Sequence, residues 1–260
     1  MFLTPAVRNL LLANVGLLLI PNLLGRAGFF KEVLGLHFLQ SPLFSPYQLG
    51  TYMFMHDGFM HLLFNMLGLV FFGSWLERAW GLQRFLMFYF VCGIGAGLLY
   101  MGVNYWELHG MLADQAAFME SPTADGFLDF VRQYYHSYRD YLPFADKLSA
   151  NPSNATLLDA ARMQVNAIVQ ARLAGSMIGA SGAVYGIILA FGLLFPNAEM
   201  FFFPLPFPVK AKYVVLFYGA TAVYGVIRQA EGDNVAHLAH LGGMLFGWLM
   251  VRVYDGQAGR

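Results

Sequence analysis

Six stretches of this chain, at 6–26, 58–76, 84–104, 176–195, 212–229 and 236–254, are mostly apolar over close to the length of a membrane crossing, for which a helix needs about twenty residues. Inside a bilayer no water satisfies the backbone, so a spanning segment must be a helix or belong to a closed barrel. Runs of this length are about twice what a barrel strand needs. The expected fold is therefore all-α: a polytopic membrane protein with six transmembrane helices.

Composition supports that solvent. Hydrophobic residues make up 58% and charged residues 12% of the chain, against about 25% charged in soluble domains. Formal net charge is zero, which gives no electrostatic footprint for nucleic acid. The single cysteine, Cys92, excludes an intrachain disulfide and any CxxC metal site. Arg8 followed by the apolar run from Leu10 to Ile20 also fits a signal peptide, but no small-residue cleavage site is clear and an anchoring first span is the preferred reading.

Pro21 is expected to kink or end the first span, and Pro42, Pro46 and Gly50 mark 37–52 as an interfacial loop. The segment 106–172 carries eight Asp or Glu and five Lys or Arg. It is expected in water as an extracytoplasmic insertion, folded into short amphipathic helices near 126–142 and 155–173. The aromatic and proline-rich run Phe201 to Pro208 reads as an interfacial loop, since aromatics favour the headgroup zone. Arg8, Arg78, Arg84, Lys210, Lys212, Arg252 and Arg260 fall on one side of such a bundle, and Arg26, Lys31 and Arg228 on the other. The positive-inside rule then places both termini in the cytoplasm.

Polar residues within the spans carry the chemistry. His61 and Asn65 lie four apart in the second span, Ser181 sits between Gly179 and Gly182 in the fourth, and His237 and His240 stand in the sixth. With a cytoplasmic start, even-numbered helices all run inward, so these residues share the outer leaflet. Intramembrane polar groups that can meet default to a functional reading. The flanking glycines let a helix begin inside the bilayer beside a wet cavity. There the Ser181 backbone N–H, helped by His61 and Asn65, would stabilise an oxyanion. The serine requires a base. His240 shares a helix face with Gly243 and Gly247, matched by a small-residue track of Gly182, Gly186 and Ala190 in the fourth span. Docking these tracks brings His240 to Ser181, whereas His237 projects aside and is expected at the water-filled mouth or bonded to a neighbour. Cys92, among Gly93, Gly95 and Gly97, reads as a packing residue.

These residues resemble the rhomboid intramembrane serine proteases. The resemblance rests on Gly179-Ala-Ser181-Gly182 followed by Tyr185, on His61-x-x-x-Asn65 preceded by His56, and on Ala239-His240-Leu-Gly-Gly243. It implies a rhomboid-like bundle and an intramembrane serine endopeptidase that cleaves transmembrane substrate helices near the outer face of the bilayer. It also implies a Ser181–His240 dyad without an acid, an oxyanion site from His61 and Asn65, and a Tyr185 ring that orients the base. Glu77 fits the family's acidic position, and the bacterial inner membrane is the location expected. Tyr47-Gln48 departs from the usual Trp-Arg of the first outer loop, so the usual Arg to Glu contact is absent there. Neither metal nor cofactor is implied; the partners are the lipid bilayer and single-pass or other transmembrane proteins. The competing reading is a non-catalytic rhomboid-like protein that binds or escorts membrane proteins.

Overall fold

The structure, a computed structural model, describes residues 3–135, 137–201, 207–228 and 234–258. Residues 202–206 of the aromatic run, and Arg260 of the charge count, lie outside the described residues. The described chain is mostly helical. It divides into two compact units: Met1–Leu36, Ser45–Met101 and Ser176–Arg260 form one, His37–Phe44 and Gly102–Gly175 the other.

The first unit opens with α1 (Pro5–Leu23), which has proline at its first position, where the missing N–H costs nothing. Pro21 lies inside α1, and the helix stops two residues later. A short α2 (Ala27–Leu34), outside every expected span, follows. After the single-turn α3 (Gln48–Thr51), one crossing is built from α4 (Phe59–Gly68), a π-helical turn at Leu69–Gly73, and α5 (Ser74–Trp80). Buried Glu77 on α5 accepts hydrogen bonds from the Ala6 and Val7 amides at 2.9 and 3.0 Å. It thereby satisfies the orphan donors that begin α1. Gln48, where a Trp-Arg pattern would put arginine, bonds within its own neighbourhood instead, to the Val33 carbonyl and the Ser45 amide.

Helix α6 (Leu82–Glu120) is thirty-nine residues long, where a span ending near 104 was expected. Residues 106–120 contain no proline and are rich in Ala, Leu, Met and Glu, good helix formers that let the helix continue in polar sequence. Its part up to Met101 belongs to the first unit and the remainder to the second. There α7 (Ala124–Tyr134) is capped by the Thr123 side chain, α8 (Leu142–Ala150) follows a 3-10 turn, and α9 (Ala155–Ala174) is capped by Asn154. The helix expected near 126–142 is thus α7, ending at Tyr134, followed by the 3-10 turn Tyr138–Tyr141.

The chain returns to the first unit with α10 (Ser181–Leu194), α11 (Ala211–Arg228) and α12 (Asn234–Ala258). Between α10 and α11, Glu199–Met200 pairs antiparallel with Val209–Lys210. The expected start of α10 at 176 is corrected to Ser181: Ser176–Met177 is extended and Gly179 has φ +124°, outside helical space. At about 1.5 Å per residue, the fourteen residues of α10 reach about 21 Å, short of the roughly 30 Å hydrocarbon core.

Three helical segments, Pro5–Leu23, Phe59–Trp80 and Leu82–Glu120, are long and apolar enough to cross a membrane, and Ser181–Leu194 and Ala211–Ile227 are shorter apolar helices. Leu12, Ile20, Phe64, Phe71, Leu98, Leu216, Phe217 and Leu249 are exposed, while Asn14, Asn65 and Glu77 are buried. Apolar side chains outward and polar ones inward is the distribution a lipid solvent selects. This is an integral membrane protein.

Candidate active site

Ser181 is the first residue of α10, and Ala180 precedes it as the N-cap without a side-chain bond. The helix therefore starts with free amide donors and the positive end of its dipole at the serine. Gly179 is required twice over. Its φ is left-handed, and a Cβ there would lie 2.8 Å from His61 Nε2 and 3.8 Å from Ser181 Oγ. The imidazole and the hydroxyl thus flank one bare backbone position.

His61 and Asn65 come from α4, one turn apart. The Asp57 amide donates to His61 Nδ1 at 3.4 Å, so the ring proton belongs on Nε2, the nitrogen that faces Gly179. A donor there is what an oxyanion requires. Asn65 Nδ2 donates to the His61 carbonyl at 3.0 Å, which fixes the amide and leaves its second N–H for other partners.

The base candidate is set by helix contact. A Cβ at Gly243 would overlap the Gly182 carbonyl, and one at Gly247 would lie 3.0 Å from Gly186 Cα, so α12 and α10 approach backbone to backbone. Gly186 also receives Cys92, whose Sγ would be 2.6 Å from a Cβ there; the thiol fills space between helices. His240 then stacks on Tyr185, with ring centroids 3.9 Å apart and planes within 4°. Tyr185 meets Tyr218 of α11 edge-on at 5.5 Å.

A cavity of about 620 Å³ collects these groups: Ser181, His240, His61, Asn65, Gly179, Gly182 and Tyr185 all line it. Lys31 and Asp57, ion-paired at 3.5 Å, line it too. Neither place in the site is legible in the sequence, because nothing in the spacing of a loop aspartate or of a lysine on a short helix links it to His61. His237 is not among the lining residues; its ring packs on the backbone of Gly225 in α11, edge-on to His240 at 5.8 Å, against neighbours, which is one of its two expected places. His56, buried, sits behind His61 at a ring distance of 4.9 Å.

A rhomboid domain model matches residues 44–109 and 155–255, well over half of the chain. The chain belongs to the rhomboid family. It is 28% identical over 214 residues to an uncharacterized mitochondrial rhomboid protein of Schizosaccharomyces pombe, an alignment covering 80% of this chain and 51% of that one. It is 36% identical over 94 residues to the mitochondrial rhomboid protein 1 of Saccharomyces cerevisiae, with 35% of this chain and 27% of that one covered. The chain spans about half the length of the first relative and about a quarter of the second. Both relatives are named as mitochondrial, and they lend no support to a bacterial inner membrane as the location. No solved structure matches the chain significantly.

Proposed function

We propose that this rhomboid protein is an intramembrane serine endopeptidase, with Ser181 as nucleophile and His240 as general base. The observation that carries the reading is the shared cavity: a serine at a helix N-terminus, an imidazole held by a stacked tyrosine, and a second imidazole whose proton faces the serine's neighbour. His240 takes the hydroxyl proton as Ser181 Oγ attacks a scissile carbonyl, then delivers it to the leaving amine; water resolves the acyl-enzyme through the same base. The Ser181 amide, His61 Nε2 and the free N–H of Asn65 hold the oxyanion.

The substrates are transmembrane helices that unwind locally near the outer face, because a fully hydrogen-bonded helix shields its carbonyls from attack. Six crossings, with both termini on the positively charged inner side and 106–172 on the other, complete this reading. The test is labelling of the purified protein with a fluorophosphonate. Wild type should label; Ser181→Ala and His240→Ala should not. A folded wild type that fails to label would point instead to a binding or escort role.

A further inference from the structure

His61 Nε2 and Ser181 Oγ both face the bare Cα of Gly179, so the placing of that one residue sets the spacing between the nucleophile and an oxyanion donor. The Gly179 amide donates to the backbone carbonyl of Tyr52 at 2.9 Å. Whatever moves Tyr52 therefore moves the turn that presents Ser181.

Tyr52 opens the 3-10 turn Tyr52–Phe54, between α3 and α4. A turn of three residues has weak hydrogen-bond geometry of its own; the Tyr52 carbonyl accepts one bond from within it, from the Met55 amide at 3.2 Å. The side chain supplies a firmer hold. Its hydroxyl donates to the Gly93 carbonyl of α6 at 2.7 Å, and its ring lies over Gly97, one turn further along, where a Cβ would be 3.3 Å from Cε1. Met53 fills the hollow at Gly93 itself. A Cβ at Gly182 would lie 3.6 Å from the Tyr52 hydroxyl and 2.6 Å from Ala96 Cβ, so the hydroxyl stands where α6 meets the first turn of α10. Tyr52 borders the cavity but is 1% exposed. Its proton is committed to a carbonyl of α6, which leaves it a structural bond to make and no proton to give a substrate.

We propose that Tyr52 is a positioning residue for the nucleophile: α6 holds its hydroxyl, its carbonyl holds Gly179, and Ser181 thereby keeps its spacing from His61. This rests on the protease reading given above. Gly93, Tyr52, Gly179, Ser181 and His61 all belong to the first unit. A misplacement of about 1 Å at a reacting centre can cost on the order of a hundredfold in rate, so a hydroxyl that touches no reacting atom is expected to register in kcat and in the reactivity of Ser181, with substrate affinity little changed.

The experiment uses the purified protein in detergent, with three readouts: hydrogen exchange, the rate of fluorophosphonate labelling, and cleavage of a synthetic single-span peptide with small residues near one end of its helix. In Tyr52→Phe, which keeps the ring, the Gly179 amide should exchange about tenfold faster while the amides of the second half of α10 keep their protection. Labelling rate and kcat should each fall about tenfold, the scale of one buried hydrogen bond, with KM within about twofold of wild type. Tyr89→Phe deletes another fully buried hydroxyl, on α6 in the same unit, from a residue that is not among those lining the cavity. Whatever it does to Tm, it should leave Gly179 exchange, labelling and kcat within about twofold. Unchanged exchange at Gly179 in Tyr52→Phe, a change in KM alone, or an equal loss of labelling in Tyr89→Phe would overturn the proposal. A wild type that neither labels nor cleaves would sink the protease reading, and the exchange data would still decide the anchoring.

Discussion

Tyr185 shows how one side chain can govern the proposed base without touching the reacting atoms. Its ring lies parallel to His240 at 3.9 Å and is itself braced by Tyr218, so the imidazole cannot swing about χ1 without losing a full face of contact. Ring packing of this kind contributes about 0.5–1.5 kcal/mol beyond burial. Tyr185→Phe keeps the face, and its kcat on a membrane substrate is expected within about twofold of wild type. Tyr185→Ala should lower kcat about tenfold with KM little altered; equal loss in both variants would assign the effect to the hydroxyl instead. At this scale much of the site was legible, because Ser181, His240, His61, Asn65 and Tyr185 are polar or aromatic residues at motif spacing. The Asp57 amide on His61 was not, since a backbone donor bears no side-chain signature. For His237 helix phase left two places open, the mouth of the cavity or a neighbour, because phase around α12 carries no information about Gly225 on α11.

Among the elements, the α10–α12 contact decides whether a site exists at all. Gly182 and Gly186 face Gly243 and Gly247 with no room for a methyl, and the opposing atoms at Gly243 are backbone, which cannot rotate away. Gly243→Ala should therefore cost at least about 1–3 kcal/mol, the usual range for overpacking. It should separate the helices and abolish fluorophosphonate labelling, with a lowered Tm read in parallel. Gly219 of α11, by contrast, has only the flexible Met244 side chain at 3.4 Å, so Gly219→Ala should leave both readouts near wild type. Equal damage at both positions would mean that the close approach is not the cause. The small-residue track was visible in the sequence as a fourfold spacing. The late start of α10 was not, because Ser176 to Ile178 is as apolar as a span and only the backbone of Gly179 shows the break. Nor was the length of α6 visible, since hydropathy marks where a helix leaves lipid and says nothing of where it ends.

For the molecule as a whole, the governing balance is that lipid removes the cost of the apolar outer face while making every inward polar group depend on a partner. Glu77 meets that condition by closing the amides of α1, and Asn65 by bonding its own helix. On the proposed reading the same solvent sets topology through charge, with the basic residues Arg8, Arg78, Arg84, Lys210, Lys212 and Arg252 on the inner face. On the six-crossing arrangement proposed above, Asn197, between α10 and α11, lies on the face opposite Ser121, between α6 and α7. Cys92 is buried against Gly186, so a Cys92→Ala chain offers a cysteine-free background for reading this directly. In sealed membranes carrying that chain, an impermeant maleimide should modify Ser121→Cys without prior permeabilisation and Asn197→Cys only after it, or the reverse if the vesicles are inverted. Modification of both positions from one side would break the six-crossing arrangement. It would also remove the reason for His61, Ser181 and His240 to share one leaflet, because only an even spacing of crossings brings the starts of α4, α10 and α12 to the same depth.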